Sequence, residues 1–184
     1  MKAKGFVIHL ERAKDREPLV EALINRMSLT ADMKIWPGIE GGNYGCTASH
    51  LALYRQMLEE GVPEWYVFED DCVMPKWFNR SMAKYDIYLI GATDYVKFHK
   101  LQEQEDVARV YKFYGTHAMI MTAKAAKAIL EVAESEAPQI PMDHLVMKAI
   151  EKKDLIVYGT NPPRQDVHQK CGIVSYITGN IRQE

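Results

Sequence analysis

Three consecutive carboxylates, Glu69-Asp70-Asp71, close an aromatic and β-branched run that begins at Trp65. Such a run suits a buried strand, because these side chains fit a pleated, covered surface. Three acids at its end repel one another in a dry site unless something positive sits among them. A hard divalent cation with oxygen ligands supplies that charge, and brings phosphate oxygens with it. Open α/β sheets bind ligands beyond the carboxyl ends of their strands, where this triplet falls. The competing reading is a solvated acidic turn before Pro75. Strand alternation predicts that Glu69 and Asp71 share a face while Asp70 points away. Asp71 is then the first choice for direct metal contact, and Glu69 is left for metal or for a ribose.

Other residues could serve the same ligand. Arg12 and Arg16 follow the first predicted strand, and a guanidinium fork suits phosphate or carbonyl oxygens. Their plainer reading is a solvated charge run from Glu11 to Glu17. Ser49-His50 is predicted to open a helix, where free N–H groups and the helix dipole favour an anion. Gly115-Thr116-His117 separates two predicted strands, and the glycine permits close backbone approach to a ligand. Asp143 falls in the first turn of a helix opened by Pro141. An acid there suits the dipole, yet it could equally accept a proton from a substrate hydroxyl. His168 lies in the C-terminal segment; imidazole suits transition metals, and an exposed loop histidine is the plainer reading.

Cys46, Cys72 and Cys171 form no paired framework, which predicts free thiols in a reducing cytoplasm. Cys46 and His50 lie four apart, and His168 and Cys171 three apart. Both are possible ligand pairs, but neither matches a standard zinc spacing, and plain buried thiols are the simpler reading.

The elements that must position these groups read as one α/β domain over residues 1–184. An apolar content of 47% and a charged content of 26% are ordinary for a globular protein. A formal charge of −2 provides no general attraction to nucleic acid or anionic lipid. No stretch is apolar enough to predict a secretory signal or a membrane span. Strands are expected at 5–10, 33–36, 65–68, 86–90, 109–114, 117–121 and 155–158. Helices are expected from Pro18, from about Thr47, from Thr122 as N-cap, and from Pro141. Glu40 to Gly45 reads as a flexible loop. Periodicity is scant beyond Gly159, so 161–184 is predicted as a lid or tail that orders over a ligand.

Several segments, taken in order, resemble glycosyltransferase family 25. Val7-Ile8-His9-Leu10-Glu11-Arg12-Ala13-Lys14-Asp15-Arg16 is similar to its "INLxRxxDR" opening, with His9 in place of Asn. Gly45-Cys46-Thr47-Ala48-Ser49-His50 resembles "GCxxSH", and Phe68-Glu69-Asp70-Asp71 resembles "FEDD". Tyr114-Gly115-Thr116-His117-Ala118-Met119-Ile120 is similar to "xGTxGYII", with Ala118 in place of Gly. Pro141-Met142-Asp143 resembles "PxD", and Ser175-Tyr176-Ile177 the closing "SxI". The stretch between Gly91 and Arg109 is compressed relative to the family.

The resemblance implies a GT-A fold, an α/β domain with a mixed, mostly parallel sheet flanked by helices. It implies an inverting transfer of a hexose from a UDP-sugar to a hydroxyl on a glycan, lipopolysaccharide, protein or modified base. Mn²⁺ or Mg²⁺ would be held by Asp71, Glu69 and His168, and Asp143 would be the base. His9, Arg12, Arg16, Ser49, His50, Glu69, Asp70, Gly115, Thr116 and His117 would bind substrate. Two other classes stay open: a non-catalytic nucleotide-sugar-binding module, and a metal-dependent nucleotidyl- or phosphotransferase. Stable nucleic-acid binding is not expected, and homo-oligomerisation is left open.

Overall fold

In the computed structural model, residues 2–74, 84–163 and 167–170 are described. The order is β1 (Ala3–His9), a 3-10 turn (Lys14–Arg16), α1 (Glu17–Met27), β2 (Ala31–Pro37), α2 (Gly42–Glu59), β3 (Glu64–Glu69) and β4 (Cys72–Val73). There follow β5 (Ile87–Gly91), β6 (Asp94–Lys100), β7 (Val107–Tyr114), β8 (Ala118–Thr122), α3 (Ala123–Ala133), α4 (Met142–Lys153), β9 (Val157–Thr160) and β10 (His168–Gln169).

Eight strands form one sheet in the order β2-β1-β3-β8-β5-β9-β7-β6. From the pairings, β2, β1, β3, β5, β9 and β6 run one way, and β8 and β7 run the other. The sheet is therefore mixed with most strands aligned.

Both faces are covered, which is why the strands read as continuous apolar runs rather than alternating ones. On one face Phe6, Ile8, Trp65, Val67, Ile87, Leu89, Met119 and Met121 pack with residues of α2, α3 and α4. On the other, Val7, Tyr66, Phe68, Tyr88, Ile90 and Ile120 pack with Val20, Leu23 and Met27 of α1. Successive residues of each strand thus face different helices, and this alternation governs the site. Helix α3 starts as expected: the Thr122 side chain caps it by accepting from the Ala125 N–H.

One expectation needs correction, and two strands appear where none is expected. The loop predicted at 40–45 is largely helix, because α2 begins at Gly42. Its first turn, Gly42-Asn43-Tyr44-Gly45, has poor intrinsic propensity, so packing must select it. Gly45 sits under the preceding chain so closely that a Cβ would lie 2.1 Å from the Ile39 carbonyl oxygen. The compressed stretch after Gly91 contains an unexpected strand, β6, hydrogen-bonded to β7 at the sheet edge. Its outward side is polar or exposed, which hid it from a search for apolar runs. Finally, His168–Gln169 is already a strand, β10, paired antiparallel with β4. Residues 164–166 and 171–184, with Cys171 and Ser175-Tyr176-Ile177, lie outside the described residues.

Candidate functional site

Strands β1 and β3 lie side by side and parallel, with Ile8 opposite Glu69. β8 enters the same edge, Ala118 opposite Phe68 and Gly91. This carboxyl edge gathers most of the residues singled out in the sequence. A cleft there is lined by Ile8, Leu10, Arg12, Arg16, Gly41, Gly42, Cys46, Ser49, His50 and all three acids.

The acids do not act as one group. Glu69 continues the face of Trp65 and Val67, toward α2. Asp70 turns to the α1 side, where Arg16 Nη1 donates to one carboxylate oxygen. Its other oxygen meets His9 Nδ1 at 2.9 Å and the Leu10 N–H at 3.4 Å. Asp71 is also buried, with Oδ2 3.5 Å from Arg16 Nη1. Burial works against the Arg16 charge, but Asp70 and Asp71 more than offset it and raise the guanidinium pKa. The positive charge that the triplet requires is thus the protein's own arginine.

The expected sharing of a face by Glu69 and Asp71 fails because β3 ends at Glu69 and the chain turns. Strand alternation does not extend through a turn. His9, Arg16 and Asp70, expected to bind substrate, are buried against one another. Arg12 alone of the two arginines is exposed at the cleft, with Nε 2.6 and 2.7 Å from the Glu40 oxygens.

Glu69 remains partly open to the cleft. Its Oε1 lies 3.4 Å from His50 Nε2 and 3.3 Å from Thr116 Oγ1, and Oε2 lies 3.5 Å from Gln169 Nε2. His50 is fully buried and also meets the Tyr54 hydroxyl through Nδ1 at 3.2 Å. Burial, then Cys46 and Glu69, pushes the Tyr54 pKa well up, so that hydroxyl stays protonated.

Ser49 and His50 do not open a helix, as expected, but lie two turns inside α2. No free N–H groups are available there. Ser49 Oγ instead donates to the Gly45 carbonyl at 2.6 Å and accepts from the Ile39 N–H at 2.7 Å, fastening the preceding loop to the helix. The helix end that does reach the cleft is Gly41-Gly42.

Gly115, at φ +81°, turns the chain between β7 and β8, and a Cβ there would lie 2.5 Å from Thr93 Oγ1. Its N–H donates to Asp143 Oδ2 at 3.1 Å, and Asp143 Oδ1 accepts from the His144 N–H at 2.8 Å. His117 is buried and contributes its carbonyl, which accepts from the Glu69 N–H and the Cys72 thiol, each at 2.8 Å. Gly115-Thr116 therefore links two carboxylates, Asp143 through a backbone N–H and Glu69 through a hydroxyl.

Asp71, Glu69 and His168 are not the metal-capable set that the fold brings together. Among the described residues that set is Cys46, His50 and Glu69, whose ligand atoms lie within 4.8 Å of one another. The signal in the sequence is the spacing of four between Cys46 and His50, which places both on one side of α2. What it lacked was the third member, from a different element.

A broader groove runs between β6–β7 and α4, lined by Lys97, Arg109, Tyr111, Lys112, Tyr114, His144 and Lys148 among others. Arg109 lies over the rings of Tyr111 and Tyr158, 5.5 Å from each centroid. Among the described residues no helix is long and apolar enough to cross a membrane.

A mixed sheet covered by helices on both faces, with its cleft at the strands' carboxyl edge, is the architecture of GT-A nucleotide-sugar transferases. Solved structures share it. A Drosophila β1,4-galactosyltransferase 7 mutant in complex with manganese, UDP-Gal and xylobiose superposes with a TM-score of 0.57 at 7% identity, over 90% of this chain and 68% of that one. A nucleoside-diphosphate-sugar pyrophosphorylase from Vibrio cholerae RC9 gives 0.53 at 13% identity, over 90% and 76%. At such identities the likeness shows the fold alone. The family model for glycosyltransferase family 25 (LPS biosynthesis protein) matches residues 38–146, and the chain belongs to that family. The lipooligosaccharide biosynthesis protein lex-1 of Haemophilus influenzae is 24% identical over 147 residues, 66% of this chain. The chain spans about half of that relative's length, 47%.

Proposed function

We propose that this protein is an inverting, divalent-metal-dependent glycosyltransferase that moves a hexose from a UDP-sugar to an acceptor hydroxyl. The observation that carries this reading is the linkage of Glu69 to Asp143 through Gly115-Thr116. Glu69 lines the cleft at the carboxyl edge, while Asp143 and its partner Gly115 are chain neighbours of His144 and Tyr114, which line the broad groove. A donor in the cleft and an acceptor in the groove would then meet over this loop. Family membership and the GT-A architecture agree with it.

Asp143 acts on the acceptor side. Its carboxylate oxygens each accept one backbone N–H and retain lone pairs, so one can take the proton from an acceptor hydroxyl. The acceptor oxygen attacks the anomeric carbon as the bond to the diphosphate breaks, and the diphosphate leaves with that electron pair. Attack opposite the leaving group inverts the anomeric centre. Arg12, at the cleft mouth, offers a guanidinium to the phosphates in place of Glu40. The aromatic rings Tyr111 and Tyr114 give a sugar apolar surfaces to lie on.

The residues present fit a divalent cation, though not an all-carboxylate site, because Arg16 already neutralises Asp70 and Asp71. Glu69, with His50 and Cys46, offers the converging donors. A cation there would act as a Lewis acid on the leaving diphosphate.

The test is a donor screen. The protein is incubated with a divalent cation and single UDP-sugars, and UDP release is followed with and without glycan acceptors. One UDP-sugar should be turned over, with inverted product by NMR. UDP binding without release from any donor would select the non-catalytic binding module instead.

A further inference from the structure

Cys46 and His50 stand one turn apart on α2, and Glu69 approaches them from the end of β3. His50 is held from behind. The Tyr54 hydroxyl lies 3.2 Å from His50 Nδ1 and 3.9 Å from Met119 Sδ. On the other side of the His50 ring, Nε2 faces Glu69 Oε1 at 3.4 Å, so an ion replacing the proton between these two atoms would meet both as ligands. The Cys46 thiol, half-buried and lining the same cleft, completes a third side.

We propose that Cys46, His50 and Glu69 form a site for a thiophilic divalent cation of the Zn²⁺ class. The donor chemistry selects this class: thiolate and imidazole suit zinc, whereas Mn²⁺ and Mg²⁺ favour sets of oxygens. Zinc holds its ligands at about 2.0–2.3 Å, so ligand atoms on one ion lie about 3–4.5 Å apart. The observed separations, within 4.8 Å, close to that range with small side-chain rotations. Three protein ligands leave a fourth position open, as zinc sites that bind substrate or water do. The cleft holds about 60 Å³ of free space beside these residues. That is about the share of two waters, enough for an ion and an exchangeable ligand. Tyr54 serves as a positioning residue: with an ion on Nε2, the Nδ1–H of His50 donates to the Tyr54 hydroxyl, as in the outer partners of metal-bound imidazoles. This deepens the cation requirement proposed above; it rests on that reading for the ion's role, not for its binding.

Binding is therefore tested without donor or turnover. Purified protein is loaded with Co²⁺ as a zinc surrogate, and the near-ultraviolet thiolate-to-cobalt charge-transfer band is recorded. Zn²⁺ content per chain is measured by mass spectrometry after dialysis. Wild type should show the band and retain about one Zn²⁺ per chain. Cys46→Ser should lose the band, and His168→Ala should keep it. Tyr54→Phe should weaken Zn²⁺ binding by about tenfold. Wild-type Cys46 alkylation, followed by peptide mapping, should slow on adding Zn²⁺ and not on adding Mn²⁺. This last measurement needs no variant to fold. Absence of the band in wild type, its survival in Cys46→Ser, or Zn²⁺-independent alkylation of Cys46 would each overturn the site. A protein that holds Zn²⁺ through Cys46 yet releases UDP from no donor would leave the site standing and remove the transferase reading.

Discussion

Glu69 and Asp70 are neighbours in the chain, yet their carboxylates serve different helices. Glu69 meets His50 of α2 and stays at the cleft, while Asp70 is buried against Arg16, which precedes α1. The division follows because Glu69 is the last residue of β3, on its α2 side, and the turn that begins at Asp70 carries the next carboxylate to the α1 side of a sheet covered on both faces.

Removing the buried cation exposes that arrangement. Arg16→Met leaves Asp70 and Asp71 in a buried site with their guanidinium gone. Breaking a buried pair from one side typically costs about 3–5 kcal/mol. Urea denaturation should show a loss of that order. Asp71→Ala should also lower stability, because it deletes a partner of Arg16. Relief of repulsion between acids alone would have raised it. A variant Arg16→Met as stable as wild type would refute the compensation.

Asp143→Asn tests the base. One amide oxygen can still accept the Gly115 N–H, so the loop keeps its main tether. The amide cannot accept a proton, and turnover should fall by about 10²–10⁴-fold. UDP affinity, measured by calorimetry, should stay near the wild-type value, since the proposed donor site is on the Glu69 side. Turnover within a few-fold of wild type would leave Asp143 only its tether and helix-start roles.

Alkaline pH should unfold the protein through Cys72. Burial, reinforced by Asp71 and Glu69, pushes its thiol well above the ordinary 9.0. Above that value the unfolded chain releases the thiol proton and the folded one keeps it. The contribution is therefore whole below pH 9.0 and is lost as pH rises toward the folded pKa. One such group lowers stability by up to about 1.4 kcal/mol per pH unit. Denaturation curves begun below pH 9.0 and carried above it should show the decline in wild type. Cys72→Ala should flatten it.

The closing segment should be ordered before any donor arrives, at least where it meets β4. The Lys170 N–H donates to the Asp71 carbonyl at 2.7 Å, and Val167 is fully buried. Hydrogen-exchange mass spectrometry should find 168–170 protected in the ligand-free protein. Rapid exchange there, slowed only by UDP with a cation, would restore the lid reading.

Much of this was legible in the residues alone. The alternation of strands and helices, the Thr122 cap and the Pro141 helix start all depend on local chemistry that acts within a few residues. So does the placing of an acid cluster at a strand's end. The spacing of Cys46 and His50 was equally visible, but spacing on one helix cannot say what comes to meet it. Tertiary structure decided that Arg16 would be the acids' counter-ion, since 54 residues separate it from Asp70. It also made helix of a glycine-rich loop through the packing of Gly45. Above all it divided Glu69 from Asp70 and Asp71. Direction along a strand is a local property, but what waits on each face depends on which helices the whole chain lays there.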